Sequence, residues 1–473
     1  MGSEGDRKEK GVTGRELIPS LPEGWVVKRL VDCTLDKVIS YGIVQPGQHT
    51  DSGIPMIRVN NFGNGQLDLS TVLKVKPEIE SKFLRTRLVG GEVLLTLVGS
   101  TGQSIVAPKE LAGWNVPRAV AVIRVTDDIG ADWINICLQT EFTKHFLDSR
   151  ANTTVQKTLN LSDVRKIPIP IPPQSMKEFI ESNIVSLEKK IQLNRQTNQT
   201  LEQMAQALFK SWFVDFDPVI DNALAAGNPI PPELEQKAAQ RAQVRAAAKA
   251  SQAKPSTHPH HHTSELPQHL RELFPSEFEN TEALGWVPKG WEATKLSDLL
   301  EVKYGKDHKK LSEGNIPVYG SGGLMRYADK HLYEGESVLI PRKGTLSNIT
   351  YVNELFWTVD TMFYTIPKNK LIPKYAFFHL KSLDFASMNV GSAVPSMTTK
   401  VLNDLLILLP SNTELKEFDK IITSYFNKAE DNKRQISQLT KLRDTLLPKL
   451  ISGELRLPVA ETDAPSLTDE ASV

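Results

Sequence analysis

The segment MKEFIESNIVSLEKKIQLNRQTNQTLEQMAQALFKSWF, residues 176–213, carries the most regular pattern in the chain. Its apolar side chains and asparagines recur at alternating steps of four and three, at Ile180, Ile184, Leu187, Ile191, Asn194, Asn198, Leu201, Ala205, Leu208 and Trp212. This spacing predicts one helix with a continuous seam. Such a helix would be about 57 Å long at a rise of 1.5 Å per residue, or about 17 base pairs of B-DNA.

A second seam repeats the first one 238 positions later. Its members are Phe418, Ile422, Tyr425, Ala429, Asn432, Ile436, Leu439, Arg443 and Leu446. Because a buried asparagine at a seam position fixes register and partner, we expect the two helices to pair with each other. The pairing should be antiparallel about a pseudo-twofold axis, with Asn194 and Asn432 within about one turn of each other.

The segments that precede the two helices also repeat. Leu21-Pro-Glu-Gly-Trp25 opens the first copy and Val287-Pro-Lys-Gly-Trp291 opens the second, and each copy closes in a strand before its helix. The frames agree, whereas the middles differ in sequence and in length. Two domains that bind different ligands would show this pattern, and so would ordinary sequence drift after a duplication.

Length, charge and cysteine content limit the possible classes. The chain has 473 residues, 56 basic and 56 acidic side chains, and only Cys33 and Cys137. Two to three domains are expected, and the neutral balance by itself gives no argument for a nucleic-acid partner. Without a disulfide framework, a secretory signal or a membrane-spanning apolar run, the sequence predicts a cytoplasmic protein with no membrane partner.

The predicted fold class is α+β, with two tandem mixed domains joined by the paired helices. Strands are expected at 54–59, 92–98 and 120–125, a helix at 133–147, and a proline-bearing edge strand at 165–173. The predicted boundaries are a disordered terminus at 1–19, a domain at 20–174, a helix at 175–217, a linker at 218–284, a domain at 285–410, a helix at 411–452 and a largely disordered tail at 453–473.

Signatures of catalysis are missing from the sequence. It has no phosphate loop with its lysine, and no Asn-Pro-Pro-aromatic or Asp-Pro-Pro-Tyr motif for methyl transfer to a base. Asp404, Glu414 and Lys416 resemble nuclease spacing, but Glu414 suits the first turn of the second helix. The histidines at 258–262 have no thiol or carboxylate frame, so we predict neither a metal site nor a catalytic residue.

Polar and basic residues follow predicted strands in both middles. Such side chains can contact base edges and phosphates. The predicted DNA contacts are Arg58, Asn60, Asn61, Arg85, Arg87, Thr101, Gln103, Arg118, Gln156 and Lys157 in the first copy, and Lys303, Tyr304, Lys306, Tyr319, Ser321, Arg342, Lys343, Ser347, Asn348, Ser396, Thr398 and Lys400 in the second.

These features together resemble one family. The duplicated frame, with Phe209-Lys-Ser-Trp-Phe-Val-Asp-Phe-Asp-Pro218 after the first seam and Leu446-Leu-Pro-Lys-Leu-Ile-Ser-Gly-Glu-Leu455 at the end of the second, resembles the specificity subunit of type I restriction-modification enzymes over residues 21–457. The alanine-rich and histidine-rich insert before Trp286 and the neutral charge depart from that pattern.

The resemblance implies a non-catalytic DNA-recognition subunit of a phage-defence system. Its two target recognition domains would each read one half of a split duplex target with an unread gap, and its helices would be the spacer. Two methyltransferase subunits would bring S-adenosylmethionine and methylate adenine. Restriction subunits would bring ATP-driven translocation with Mg²⁺, so this chain itself would hold no cofactor.

Two other hypotheses remain open on the sequence. A duplicated adaptor that binds protein would tolerate loss of Arg58, Gln103, Arg342 and Lys343 without losing sequence-specific DNA binding. A diverged methyltransferase or nuclease acting alone would bind S-adenosylmethionine or cut DNA without partner subunits.

Overall fold

The computed structural model describes residues 21–63, 65–151, 157–252, 266–385, 387 and 396–455. Its contacts divide the chain into two compact units. Unit 1 is built from the described residues up to Gln196 and from Asn432 onward, and unit 2 is Thr197–Asp431. Among the described residues, no helix combines the length and the apolar character that crossing a bilayer requires.

The described residues of unit 1 form ten strands and the first helices. The strands are β1 (Val26–Arg29), β2 (Thr34–Tyr41), β3 (Ile54–Met56), β4 (Phe62–Gly63), β5 (Gln66–Leu67), β6 (Leu73–Val75), β7 (Val93–Thr96), β8 (Ser104–Val106), β9 (Val120–Val125) and β10 (Pro168–Ile171). The helices are α1 (Pro77–Glu80), α2 (Ala131–Gln139), α3 (Glu141–Asp148), α4 (Leu161–Val164) and the first part of α5 (Gln174–Phe213).

The central sheet of unit 1 has the strand order β2-β9-β7-β8, with antiparallel neighbours. The residues of β7 are all buried, as expected for an apolar inner strand. Among the described strands, β10 pairs with β1 alone, which fits its alternating prolines, because a proline cannot donate a backbone hydrogen bond. The indole Nε1 of Trp133 donates to the Pro170 carbonyl oxygen at 2.8 Å and joins α2 to this strand.

Two local predictions in unit 1 need correction. The strand expected at 54–59 ends at Met56, and Val59–Asn61 form a short 3₁₀ turn. The helix expected at 133–147 is two helices that meet at Thr140, whose hydroxyl accepts from the Thr143 backbone N–H at 3.2 Å. A threonine that caps the following helix also ends the preceding one, since its backbone is extended.

The part of unit 2 that the structure describes contains ten further strands. They are β11 (Phe278–Thr281), β12 (Gly285–Pro288), β13 (Glu292–Lys295), β14 (Leu300–Tyr304), β15 (Ile316–Gly320), β16 (Gly323–Ala328), β17 (Tyr333–Pro341), β18 (Thr350–Thr358), β19 (Met362–Pro367) and β20 (Leu406–Leu409). Its helices are the rest of α5, then α6 (Asp217–Ala226), α7 (Glu235–Gln252), α8 (Gln268–Arg271), α9 (Leu296–Leu299), α10 (Ile372–Ser382), α11 (Thr399–Asn403) and most of α12 (Asn412–Ile451).

The sheet of unit 2 repeats the sheet of unit 1. Its strand order is β14-β19-β17-β18-β15-β16, and the first four strands correspond in order and direction to β2-β9-β7-β8. The frame strands correspond as well, because β13 pairs antiparallel with β20 as β1 does with β10. The topology therefore supports the duplication inferred from the sequence.

The stretch 218–284, predicted to be a linker, is largely folded. α6 buries Val219, which lies in the core of unit 2 together with Phe274. The alanine-rich segment is helical, and Arg241 of α7 forms an ion pair with the buried Asp221 of α6. The histidine run lies outside the described residues. The prediction failed because α6 has only ten residues, fewer than the window over which helical periodicity can be recognised, although five of them are buried.

The two long helices pair in an antiparallel manner. Within unit 1, the Asn194 side-chain amide donates to the Gln435 side-chain oxygen at 3.1 Å, and Glu188 forms an ion pair with Arg443 at 2.5 Å. The partner number on α12 falls as the number on α5 rises. Asn194 and Asn432 are both buried, and Gln435 lies less than one turn from Asn432, as the seam predicted.

The same pairing continues within unit 2. The Asn198 side-chain amide donates to the Ala429 carbonyl oxygen at 3.2 Å, and the rings of Phe213 and Phe418 meet edge to face at 5.0 Å between centroids. The predicted seam residues Ile180, Ile184, Ile191, Phe418 and Ile422 are buried, whereas Leu187, Leu201, Leu208, Tyr425, Ile436, Leu439 and Leu446 are half-buried. Ala205 and Trp212 of the predicted seam are buried as well, and near the helix ends so are Phe213 and Leu447, which the seam did not include.

Glu414, in the first turn of α12, provides a test of this packing. Its buried carboxylate accepts from the Ser411 backbone N–H at 2.6 Å and from the Trp291 indole N–H at 3.1 Å, and burial raises its pKa above the ordinary 4.5. The stability that its bound proton contributes is present below about pH 4.5 and lost as the pH rises through the folded pKa.

We therefore expect Glu414→Gln to become more stable relative to wild type between pH 4.5 and 7, because glutamine has no proton to lose. Chemical unfolding of both proteins across this range measures the difference in unfolding free energy. The half-exposed Glu417, paired with Lys420, provides the control variant Glu417→Gln. A difference for Glu414→Gln that stays flat or falls with pH would contradict this account.

Candidate nucleic-acid interface

Five polar residues from separate segments of unit 2 come together at one edge of its sheet. Tyr304 ends β14, and the guanidinium of Arg342, the residue after β17, lies 5.3 Å from the centroid of its ring. The Tyr304 hydroxyl is 3.4 Å from that of Thr399. Lys343 and Ser396 form an antiparallel backbone bridge. Four of these residues were predicted from sequence, and Thr399 was not.

The charge of this cluster is positive. Lys343 is exposed next to Arg342, and Lys400 is exposed next to Thr399. Within the described residues neither lysine forms an ion pair, and Lys306, also exposed, forms none. Lys303 differs, because it forms an ion pair with Glu301. The hydrogen bond to Glu301 raises the pKa of Lys303, and the carboxylate already balances its charge. Unmatched cations beside hydroxyls and an exposed ring are suited to a nucleic-acid ligand.

Other predicted contacts of unit 2 are committed to the fold. The Tyr319 hydroxyl donates to Glu354 at 2.6 Å, and burial raises its pKa. The Asn348 amide donates to the Ser321 carbonyl oxygen at 2.9 Å and joins two turns. Thr398 caps α11 by accepting from the Val401 backbone N–H at 3.3 Å. Ser347, by contrast, is exposed.

In unit 1 the turn between β7 and β8 presents Thr101 and Gln103. The Thr96 hydroxyl fixes this turn, because it donates to the Ser100 carbonyl oxygen at 2.6 Å and accepts from the Gln103 backbone N–H at 3.0 Å. The Gln103 side chain is exposed, as are those of Asn60 and Arg118. These positions remain available to a ligand.

Asn61 and Arg87 must be removed from the DNA-contact prediction. Asn61 is 1% exposed, and its amide donates to the carbonyl oxygens of Asp68 at 2.8 Å and Thr71 at 3.0 Å. Arg87 binds both carboxylate oxygens of Glu80, which is itself 1% exposed. The Arg87 hydrogen bond lowers the pKa of Glu80. Asn61 is therefore closed to a ligand, whereas the Arg87 side chain is 42% exposed but has its charge matched by Glu80.

Three further predicted contacts of unit 1 are Lys157, Arg58 and Gln156. Lys157 pairs with Asp148 at 2.5 Å, so its charge is partly matched. Arg58 is half-buried at the start of a 3₁₀ turn. Gln156 lies outside the described residues.

A basic cavity in unit 1 was missed by the sequence reasoning. It has a volume of about 310 Å³ and is lined by Tyr41, Lys82, Arg85 and Arg165 among others. The three cations are exposed, and within the described part of the chain none of them forms an ion pair. Only Arg85 was predicted, because Lys82 and Arg165 lie outside the strand-turn positions used for the prediction.

The described residues give no support for metal-dependent or thiol-based catalysis. No group of three or more His, Cys, Asp or Glu side chains among them could hold a metal ion. Cys33 and Cys137 are free but buried, and burial raises the pKa of Cys33 to about 11 and that of Cys137 well above its usual range. Neither thiol is suited to act as a nucleophile at neutral pH.

The role assigned to Arg87 predicts a stability effect. Arg87→Ala should lower the free energy of unfolding by about 1–2 kcal/mol, because Glu80 keeps only Asn115 as a side-chain partner. Arg85→Ala, two residues away and exposed, should change it by no more than about 0.5 kcal/mol. Urea unfolding of both variants measures the contrast, and equal stabilities would refute the structural role.

Comparison with known proteins identifies the family. The sequence-family model described as the type I restriction modification DNA specificity domain matches residues 22–203 and 288–441. The HindI specificity subunit of Haemophilus influenzae is 29% identical over 352 residues, covering 67% of this chain and 74% of that protein. The MjaIX specificity subunit of Methanocaldococcus jannaschii is 21% identical over 470 residues, covering 93% and 95%.

A solved structure supports the fold. The type I restriction-modification S subunit from M. genitalium superposes with a TM-score of 0.52 at 14% identity, covering 90% of this chain and 96% of that one. The chain belongs to the family of type I restriction-modification specificity subunits. Its place in the system is therefore DNA recognition, and it is not the catalytic component.

Proposed function

We propose that this chain reads a split DNA sequence with an unread gap, one half with each unit, and carries the methyltransferase and restriction subunits in the cytoplasm. S-adenosylmethionine, ATP and Mg²⁺ would be bound by those partners. The observation that carries the proposal is the cationic cluster of Tyr304, Arg342 and Lys343 in unit 2, on a sheet that unit 1 repeats with its own exposed polar turn.

Direct base reading has candidates in both units. The exposed Gln103 of unit 1 can form two hydrogen bonds to an adenine edge in the major groove. In unit 2, Lys343 and Lys400 can contact guanine acceptors or phosphates. The buried Asn61 and the committed Arg87 are excluded from this set. The remaining candidates are Arg58, Asn60, Arg85, Thr101, Arg118, Lys157, Lys303, Tyr304, Lys306, Arg342, Ser347 and Ser396.

The proposal is tested with the chain assembled with two methyltransferase subunits. The complex should methylate adenine in a split sequence, whereas this chain alone should neither methylate nor cut DNA. Arg342→Ala with Lys343→Ala should weaken binding of the target at least about tenfold, since each lost phosphate or base contact costs about 1–3 kcal/mol. Lys289→Ala removes an exposed lysine that pairs with Glu277 and serves as the control.

The outcomes separate the competing functions. Unchanged sequence-specific binding by the double variant would favour the protein-binding adaptor. Methylation or cleavage by the chain without partners would favour an enzyme acting alone. Loss of binding by the double variant together with normal binding by Lys289→Ala supports the proposal.

A further inference from the structure

Both units present a tyrosine-glycine pair at the same place in the fold. Tyr41 is the last residue of β2 and is followed by Gly42, and Tyr304 is the last residue of β14 and is followed by Gly305. These strands correspond, since each lies at the edge of the repeated four-strand order. The two tyrosines were not matched in the sequence frame, and only Tyr304 was predicted as a contact.

The glycines fix the backbone beside each tyrosine. A Cβ atom on Gly42 would lie 1.8 Å from the Val116 carbonyl oxygen, and one on Gly305 would lie 2.0 Å from the Val359 carbonyl oxygen. Any other residue would therefore force the two backbone segments apart. The close approach, with a 2.8 Å hydrogen bond from the Ile43 N–H to the Val116 carbonyl oxygen, holds the tyrosine in a defined position.

In each unit the guanidinium of an arginine lies over the ring of the tyrosine. The Arg118 guanidinium lies 5.9 Å from the centroid of Tyr41, and that of Arg342 lies 5.3 Å from the centroid of Tyr304. The tyrosines are 43% and 51% exposed, which is high for aromatic side chains.

The two arginines come from different places in the repeat. Arg118 precedes β9, whereas Arg342 follows β17, a strand whose counterpart in unit 1 is β7. Both places are at the same edge of the sheet, because β9 and β7 run antiparallel and so do β19 and β17. Descent from one ancestor therefore explains the tyrosines but not the arginines. A shared ligand requirement explains why the pair occurs in both units.

The surroundings of both pairs are positively charged. Tyr41 lines the basic cavity with Lys82, Arg85 and Arg165. Arg342 is followed by the exposed Lys343, whose charge is also unmatched within the described residues. Several unmatched cations at one place indicate an anionic ligand.

We propose that the tyrosine-arginine pair of each unit binds a phosphate of the DNA backbone, Tyr41 with Arg118 in unit 1 and Tyr304 with Arg342 in unit 2. The ring packs against one face of the guanidinium. In unit 2 the Arg342 Nη1 donates to the Asp360 carbonyl oxygen at 3.2 Å, and the other N–H groups of the guanidinium can bind a phosphate oxygen. The pair thus positions each unit on the duplex and does not read sequence. This inference rests on the proposed function.

The test uses the complex with methyltransferase subunits and duplexes with the natural and a scrambled target, titrated over a series of salt concentrations. Arg118→Ala and Arg342→Ala should each weaken binding to both duplexes about five- to tenfold. Each should also lower the slope of log K against log salt by about 0.9, the value for one phosphate contact. The methylated sequence should not change.

Two further variants keep the test decisive. Arg118→Lys and Arg342→Lys retain the charge and should restore the salt slope with only part of the affinity. Arg150, whose guanidinium lies 3.7 Å from the Phe146 ring, is a matched arginine-aromatic pair outside the repeated positions. Arg150→Ala should leave affinity and slope unchanged, and thermal unfolding checks that every variant is folded.

Several results would overturn the inference. A changed methylated sequence with an unchanged salt slope would mean that the arginines read bases. Wild-type affinity and slope in the alanine variants would mean that the pairs do not touch DNA. Failure of the wild-type complex to prefer the natural target over the scrambled one would instead contradict the proposed function.

Discussion

Replacing Phe418 by alanine is expected to lower the free energy of unfolding of unit 2 by about 3–5 kcal/mol, the range for deletion of a fully buried aromatic ring. Phe418 is 0% exposed in α12. Its ring centroid lies 5.0 Å from that of Phe213, 6.1 Å from Phe209 and 6.0 Å from Phe378. It therefore joins both long helices to α10, and no single neighbour can fill the space that it leaves.

Urea unfolding of the full chain, followed by tryptophan fluorescence, measures this loss. Trp212 and Trp291 lie in the same core and report on unit 2. Phe179→Ala provides the control, because Phe179 is 38% exposed on α5 and should cost less than about 1 kcal/mol. A loss below about 1 kcal/mol for Phe418→Ala would show that this aromatic core does not hold the helices together.

Exchange of residues 26–160 for the corresponding segment of another specificity subunit should change one half of the methylated sequence completely. The other half should stay as it is. The exchanged segment contains the sheet β2-β9-β7-β8 with Gln103 and Arg118, whereas α5 and all of unit 2 lie outside it. Methylation mapping of the assembled chimeric complex reads out both halves.

The chimeric protein should fold, because the contacts between the exchanged segment and the retained β10 include backbone hydrogen bonds that do not depend on side-chain identity. β1 enters with the new segment and pairs through backbone hydrogen bonds with β10, which stays. Exchange of residues 292–403 is the reciprocal experiment and should change the other half. If either exchange altered both halves, independent reading by the two units would be wrong.

The long helices could be predicted from sequence in detail. Their predicted bounds, 175–217 and 411–452, lie within four residues of α5 and α12, and both central asparagines are buried. A seam repeat can be recognised in the local sequence without knowledge of the tertiary contacts. The helix ends were less predictable, because there the globular part of each unit also buries residues outside the seam, such as Phe213 and Leu447.

The candidate site was only partly predictable. The sequence placed Arg342, Lys343 and Tyr304 among many polar residues but could not show that segments 38 positions apart meet at one sheet edge. It also could not separate Arg85 from Arg87, because the difference is a buried Glu80 that only the fold brings to Arg87. The spacing of residues in the local sequence does not show whether the partner of a charged side chain is buried.

Long-read mapping of N6-methyladenine in cells that contain the methyltransferase subunits, with and without this chain, tests the account most directly. We predict methylation in two short sequence blocks separated by a fixed number of unread bases, and its complete loss when the chain is removed. A continuous methylated motif, or a pattern that persists without the chain, would contradict the claim that this protein supplies a two-part address on DNA.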